Sequence, residues 1–189
     1  MNGKYKDFTK DILFVIAAVG VVSIAATSPN FLLKIARYVI KNRKYLKNKY
    51  DEKKVAKAIQ RLKNNRLIIL TEEDGKFKVE LAERGKRKVE EIRFEDMKIQ
   101  VPRIWDGKWR IIIFDIPEKQ KKRARDALRE KLQKLKFYQL QKSVWVCPYP
   151  CEKEIQFLCE LFGINPFVNI IIADKIYNDI QLKKHFKLL

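Results

Sequence analysis

Histidine is nearly absent: His185 is the only one in 189 residues. Cysteine occurs three times, at Cys147, Cys151 and Cys159, an odd count with no zinc-type spacing and no neighbouring histidine. A histidine- or cysteine-built metal site and a disulfide scaffold are therefore both excluded, and reduced, buried thiols in a cytoplasm are expected. No glycine-rich phosphate loop and no nucleophile elbow is present, which removes nucleotide hydrolysis and serine-esterase chemistry. Low-complexity tracts are missing too, and 47% hydrophobic residues are enough for a core. Acids are scarce. Against 42 Lys and Arg there are 23 Asp and Glu, a net charge of +19, so a polyanion, nucleic acid above all, is the expected partner.

Long apolar runs are also scarce. The one candidate is ILFVIAAVGVVSIAA, Ile12 to Ala26, preceded by three lysines. At 15 residues it is short for a span, which needs about 20. The run reads as a buried core helix with Asp11 at its start and Ser28-Pro29-Asn30 at its end. A membrane anchor or signal segment over residues 12–26 is the alternative.

The pattern splits the chain near residue 100. After the apolar run, PNFLLKIARYVIKN (29–42) has Pro at a helix start and places Phe31, Leu32, Ile35, Val39 and Ile40 on one side. DEKKVAKAIQRLKNN follows, with Val55, Ile59 and Leu62 at helical spacing and Asp51 and Glu52 at the positive end. Two short strands, expected at 66–70 and 77–81, flank an Asp-Gly turn, and the helix AERGKRKVEEIRFE comes next. Between Lys34 and Arg66 there are 13 Lys and Arg and only two acids. Candidate nucleic-acid contacts are Lys53, Lys54, Lys57, Gln60, Arg61 and Asn64, joined by Arg43, Lys44 and Lys47 from the basic connection KNRKYLKNKY. Lysines suit phosphates, whereas Gln60, Arg61 and Asn64 carry the paired donors and acceptors that suit base edges.

Residues 97–107, which hold Pro102 and Gly107, are expected as a linker. Then KWRIIIFDI (108–116) reads as a strand buried on both faces, EKQKKRARDALREKLQKLKF as a charged helix, and YQLQKSVWVCPY as two short strands. CEKEIQFLCELFG is a helix closed by Gly163, PFVNIIIAD a last strand and NDIQLKKHFKLL a terminal helix. The expected fold is α+β. Residues 1–96 form a winged helix-turn-helix domain, and 108–189 a ferredoxin-like βαββαβ domain with a C-terminal helix.

Two resemblances support this division. GKFKVELAERGKRKVEEI is similar to the wing and following helix of many bacterial transcription regulators. KWRIIIFDIPE, RARDALREKLQKLKFYQLQ and KSVWVCPYP, within roughly residues 105–165, resemble the central domain of PaaX-type transcriptional repressors. Those proteins join a winged helix to a ferredoxin-like domain, which itself resembles the small metal-dependent nuclease subunit of the CRISPR adaptation complex. The resemblance implies a homodimeric repressor on double-stranded DNA, without a metal cofactor. It also implies a shortened member, since the full-length repressors carry a further C-terminal domain. No effector is legible in the residues. The alternative it implies is a nuclease of RNA or DNA in which Asp115, at the strand tip, holds Mg2+ or Mn2+ between two subunits while Ser143 and Arg123 approach the phosphate. On the residues alone, Asp115 serves equally well as a turn-capping carboxylate that accepts N–H groups from Ile116-Pro117-Glu118-Lys119.

Overall fold

The computed structural model describes residues 3–25, 31–41 and 51–188. Its fold is mixed α+β, and the chain divides into two compact units, Met1–Glu95 and Asp96–Leu189. The first contains α1 (Gly3–Val19), β1 (Val22–Ala25), α2 (Phe31–Lys41), α3 (Glu52–Asn64), β2 (Ile68–Glu73), β3 (Lys76–Leu81) and α4 (Glu83–Asp96). The second contains β4 (Trp109–Phe114), α5 (Glu118–Lys134), β5 (Tyr138–Gln141), β6 (Val144–Cys147), α6 (Glu152–Phe162), a 3-10 turn (Asn165–Phe167), β7 (Val168–Ala173) and α7 (Ile180–Phe186).

The apolar run is not one helix. α1 begins at Gly3, well before Asp11, which therefore lies inside the helix and does not cap it. It ends where Gly20 takes a φ of 79° and its N–H donates to the Ile16 carbonyl at 2.9 Å, a left-handed position that glycine fills without steric cost. The remainder, Val22–Ala25, becomes a strand antiparallel to β3, with Val22 opposite Val79. Ile12, Leu13, Val15 and Ile16 are buried against Ile35, Val55, Ile59 and Leu62 in one core. No helix among the described residues is long and apolar enough to cross a membrane.

The first sheet has the order β1-β3-β2, antiparallel throughout. β2 and β3 meet at a two-residue turn, Asp74-Gly75, with φ of 50° and 66°. Positive φ at both central residues is the turn whose twist matches the flanking strands. Glu73 consequently pairs with Lys76, and β2 runs further towards the turn than the expected 66–70.

The second sheet has the order β5-β6-β4-β7, again antiparallel. Alternation along β4 sends Trp109 and Ile111 to one face, where Val146, Leu182 and Phe186 join them. Arg110, Ile112 and Phe114 occupy the other. That explains the unbroken isoleucine run: the strand is covered on both faces.

Arg110 is only 5% exposed. Its guanidinium donates to both Asp106 oxygens at 2.8 and 2.6 Å, to the carbonyls of Lys108 and Pro148, and at 3.4 Å to Glu152 of α6. Trp105 also folds back, its Nε1–H donating to the Lys108 carbonyl and its ring 5.0 Å from that of Trp109. Of the stretch expected as a linker, at least Trp105 and Asp106 are thus built into the second unit. The Arg110 hydrogen bonds hold the Asp106 carboxyl down at about 2. A depressed carboxyl stabilises the fold fully above its ordinary value, near 4, and loses that contribution as pH falls towards 2. Asp106→Asn is expected to cost about 1 kcal/mol at neutral pH, at the low end for a charged hydrogen bond because Asp106 is partly exposed. It should also flatten the acid limb between about pH 4 and 2. Tryptophan fluorescence in denaturant titrations measures both, since Trp105, Trp109 and Trp145 all lie in this unit.

Candidate nucleic-acid interface

α3 starts at Asp51, whose Oδ1 accepts the Lys53 N–H at 3.3 Å. Its buried side is Val55, Ala58, Ile59 and Leu62. Successive helical residues advance about 100°. Taking Lys53 as the origin, Lys53, Lys54, Lys57, Gln60, Arg61 and Asn64 all fall within an arc of about 120°, centred opposite the buried side. The six predicted contacts on this helix therefore share one face. Five are exposed and Gln60 is half-buried.

Within that face the Gln60 Nε2–H donates to Asn64 Oδ1 at 3.1 Å, so the two amides orient each other. Arg37 of α2 forks onto Glu52 at 2.9 and 3.0 Å. One of the only two acids in the basic segment is thereby neutralised within the protein. Arg43, Lys44 and Lys47 lie outside the described residues. The β2–β3 tip is different in charge. Glu72, Glu73 and Asp74 outnumber Lys76 and Lys78, and Lys78 is paired with Glu73. Among the described residues, α3 carries five basic residues against one acid, whereas the hairpin tip is net acidic.

The second candidate position is the end of β4. Phe114 N–H donates to the Ser143 carbonyl at 3.1 Å and Asp115 N–H to the Phe167 carbonyl at 2.9 Å. The backbone of Asp115 is thus held between two neighbouring chain segments while its side chain is exposed. The Ser143 backbone is brought to this end of the sheet by the bond from Phe114. Arg129 also reaches this end, its guanidinium 5.8 Å from the Phe114 ring centre and its Nε–H donating to the Lys142 carbonyl at 3.1 Å; among the described residues Arg123 has no such contact.

The nearest acid in sequence, Glu118, is drawn to Arg125 at 2.9 Å, and that ion pair lowers its carboxyl from the ordinary value. Among the described residues no group of three or more His, Cys, Asp or Glu could hold a metal. One chain offers a single free-standing carboxylate here, short of the oxygen set that Mg2+ requires. All three cysteines are free and buried.

Residues 102–184 match the family described as the PaaX protein central Cas2-like domain. The second unit matches a PaaX-type domain over most of its length. The match begins in the Trp105 segment that the structure folds onto β4 and ends within α7. It covers every strand of the PaaX-type sheet and includes Asp115 and Arg110. No curated protein matches the chain.

Proposed function

We propose that this chain is a DNA-binding transcriptional regulator, a cytoplasmic repressor acting as a homodimer on duplex DNA. One observation carries the reading. The basic residues of α3 are gathered on the single face that its core contacts leave open, next to a hydrogen-bonded Gln60–Asn64 pair. The strand order β1-β3-β2, with α1, α2 and α3 before the hairpin, supports a winged helix-turn-helix, in which the helix before the hairpin enters the major groove. The order β5-β6-β4-β7 with two crossover helices supports a ferredoxin-like reading of the second unit, for which dimerisation is the proposed role. Residues 1–96 would then be the reading domain and the PaaX-type unit the pairing scaffold.

The charges of Lys53, Lys54, Lys57 and Arg61 displace about four counterions per chain in this arrangement, and Gln60, Arg61 and Asn64 face base edges. A dimer using all of them should show log K falling with log salt at a slope of about −7. Titration of random-sequence duplex DNA by electrophoretic mobility shift at several salt concentrations is the test. A slope near zero would sink the interface. Footprinting on selected sites should show half-sites one helical turn apart, or a multiple of it.

The exposed Asp115 carboxylate keeps a second reading in play, a Mg2+- or Mn2+-dependent nuclease. The residues of one chain do not complete such a site, so it needs Asp115 from two chains together with substrate oxygens. Wild type and Asp115→Ala should then be compared on labelled duplex DNA and single-stranded RNA with each metal. The repressor reading predicts no cutting by either protein and equal DNA shifts by both. Metal-dependent cutting lost in the variant would establish the nuclease.

A further inference from the structure

The PaaX-type unit contains a cavity of about 630 Å3, within the size range of small-molecule sites. Met97, Ile99, Val101, Leu135 and Phe186 give it an apolar body. Tyr149 and His185 also line it and stand edge-on to Phe186, at 6.2 and 4.8 Å between ring centres. Lys98, Lys134, Lys136 and Lys187 supply cations, and not one lining residue is acidic. Lys134 is bound to Glu130 at 2.6 Å. Lys98, Lys136 and Lys187 enter no ion pair among the described residues.

The backbone adds a second observation. Lys136 and Lys187 both have left-handed backbone, with φ of 63° and 55°, at the ends of α5 and α7. Such positions are normally glycine, because a side chain there is strained by about 1 kcal/mol. α6 of the same unit does end on glycine, Gly163. Arg66, just past α3, has the same backbone away from the cavity, so the strain by itself marks no ligand; its consequence here is that two helix ends each carry a long cationic side chain to the cavity rim.

We propose that this cavity binds an amphipathic organic anion, a soluble small molecule with an aromatic or alkyl body and a carboxylate or sulfonate head. The body fills the Met97, Ile99, Leu135 and Phe186 surface, and the head meets Lys98, Lys136 and Lys187. Met97–Val101 forms one wall, so occupancy also immobilises the chain directly after α4. The site stands whether or not the first unit binds DNA.

The probe is 8-anilinonaphthalene-1-sulfonate, titrated by fluorescence into the full chain, with uncharged N-phenyl-1-naphthylamine beside it. One sulfonate probe per chain is expected, with the neutral probe at least tenfold weaker. Lys136→Gln with Lys187→Gln should weaken the sulfonate at least tenfold, and Lys119→Gln with Lys122→Gln should leave it unchanged. If circular dichroism shows the first pair misfolded, Lys98→Gln alone should weaken it about threefold. Trypsin cleavage after Lys98 should slow when the probe is bound. Equal binding by a folded lysine variant, equal affinity for the neutral probe, or unchanged cleavage would each overturn the proposal.

Discussion

Lys57→Glu combined with Arg61→Glu is expected to reduce duplex-DNA affinity by at least a hundredfold and to flatten its salt dependence. Both side chains are exposed on the face of α3 opposite Val55, Ile59 and Leu62. Each reversal replaces an attraction to phosphate by a repulsion, and loss of each contact removes about one unit from the salt slope per chain. At roughly 1–3 kcal/mol per lost contact, two positions reach a hundredfold or more. The cost to folding is smaller. Glutamates at i and i+4 repel, and one stands near the negative end of the helix, together about 1 kcal/mol. Because Arg61 also has a contact within the protein, Lys53→Glu with Lys57→Glu is the companion variant that leaves it intact. A mobility shift reads affinity and circular dichroism reads folding. Unchanged affinity in both folded variants would move the DNA surface off α3 altogether.

The second large effect is on stability. Gly85, in the first turn of α4, is buried, and a Cβ placed on it would lie 1.9 Å from the Leu67 carbonyl oxygen. The shortest ordinary C···O contacts are about 3.3 Å, so Gly85→Ala must push the helix and the β2 approach apart by more than 1 Å. The same carbonyl accepts the Ala82 N–H at 3.0 Å, and that bond would be strained with it. Overpacking against backbone costs up to about 3 kcal/mol or more, and loss of the hydrogen bond about 1. The better helix propensity of alanine returns about 1. A net loss of about 3 kcal/mol corresponds to a fall of roughly 12–24 °C in the melting temperature of a unit this size. Far-UV circular dichroism of the full chain should show helix melting early, while tryptophan fluorescence, which reports only the PaaX-type unit, keeps its midpoint. A shift below about 3 °C would show that the backbone does not approach Gly85 so closely.

Where local pattern and packing agreed, the elements were readable beforehand. Val55, Ile59 and Leu62 announce α3 by their spacing, Asp74-Gly75 announces a hairpin by its tolerance of positive φ, and Gly163 announces the end of α6. The basic face of α3 was readable for the same reason, since a helical period places Lys53, Lys57, Gln60 and Asn64 together whatever surrounds them. Val22–Ala25 was not. A continuous apolar run has no period to separate helix from strand, and the edge of β3 decided it by offering Val79, Lys78, Phe77 and Lys76 as partners. Arg129 was missed for a related reason: several arginines of α5 are equivalent in sequence, and only the position of Phe114 selects one.

By itself the sequence determined the basic balance, the two-part organisation, most helices and turns, and the strand that ends at Asp115. These depend on residue type and on contacts between near neighbours in the chain. Tertiary structure alone decided that Arg110 is buried in a cage of carboxylates and carbonyls, that Gly85 lies under the Leu67 carbonyl, and that segments around residues 98, 136 and 187 enclose one cavity. Each of these joins groups far apart in sequence or sets a backbone separation. Composition and periodicity carry no information about either, because they describe what a segment can bury and not what comes to cover it.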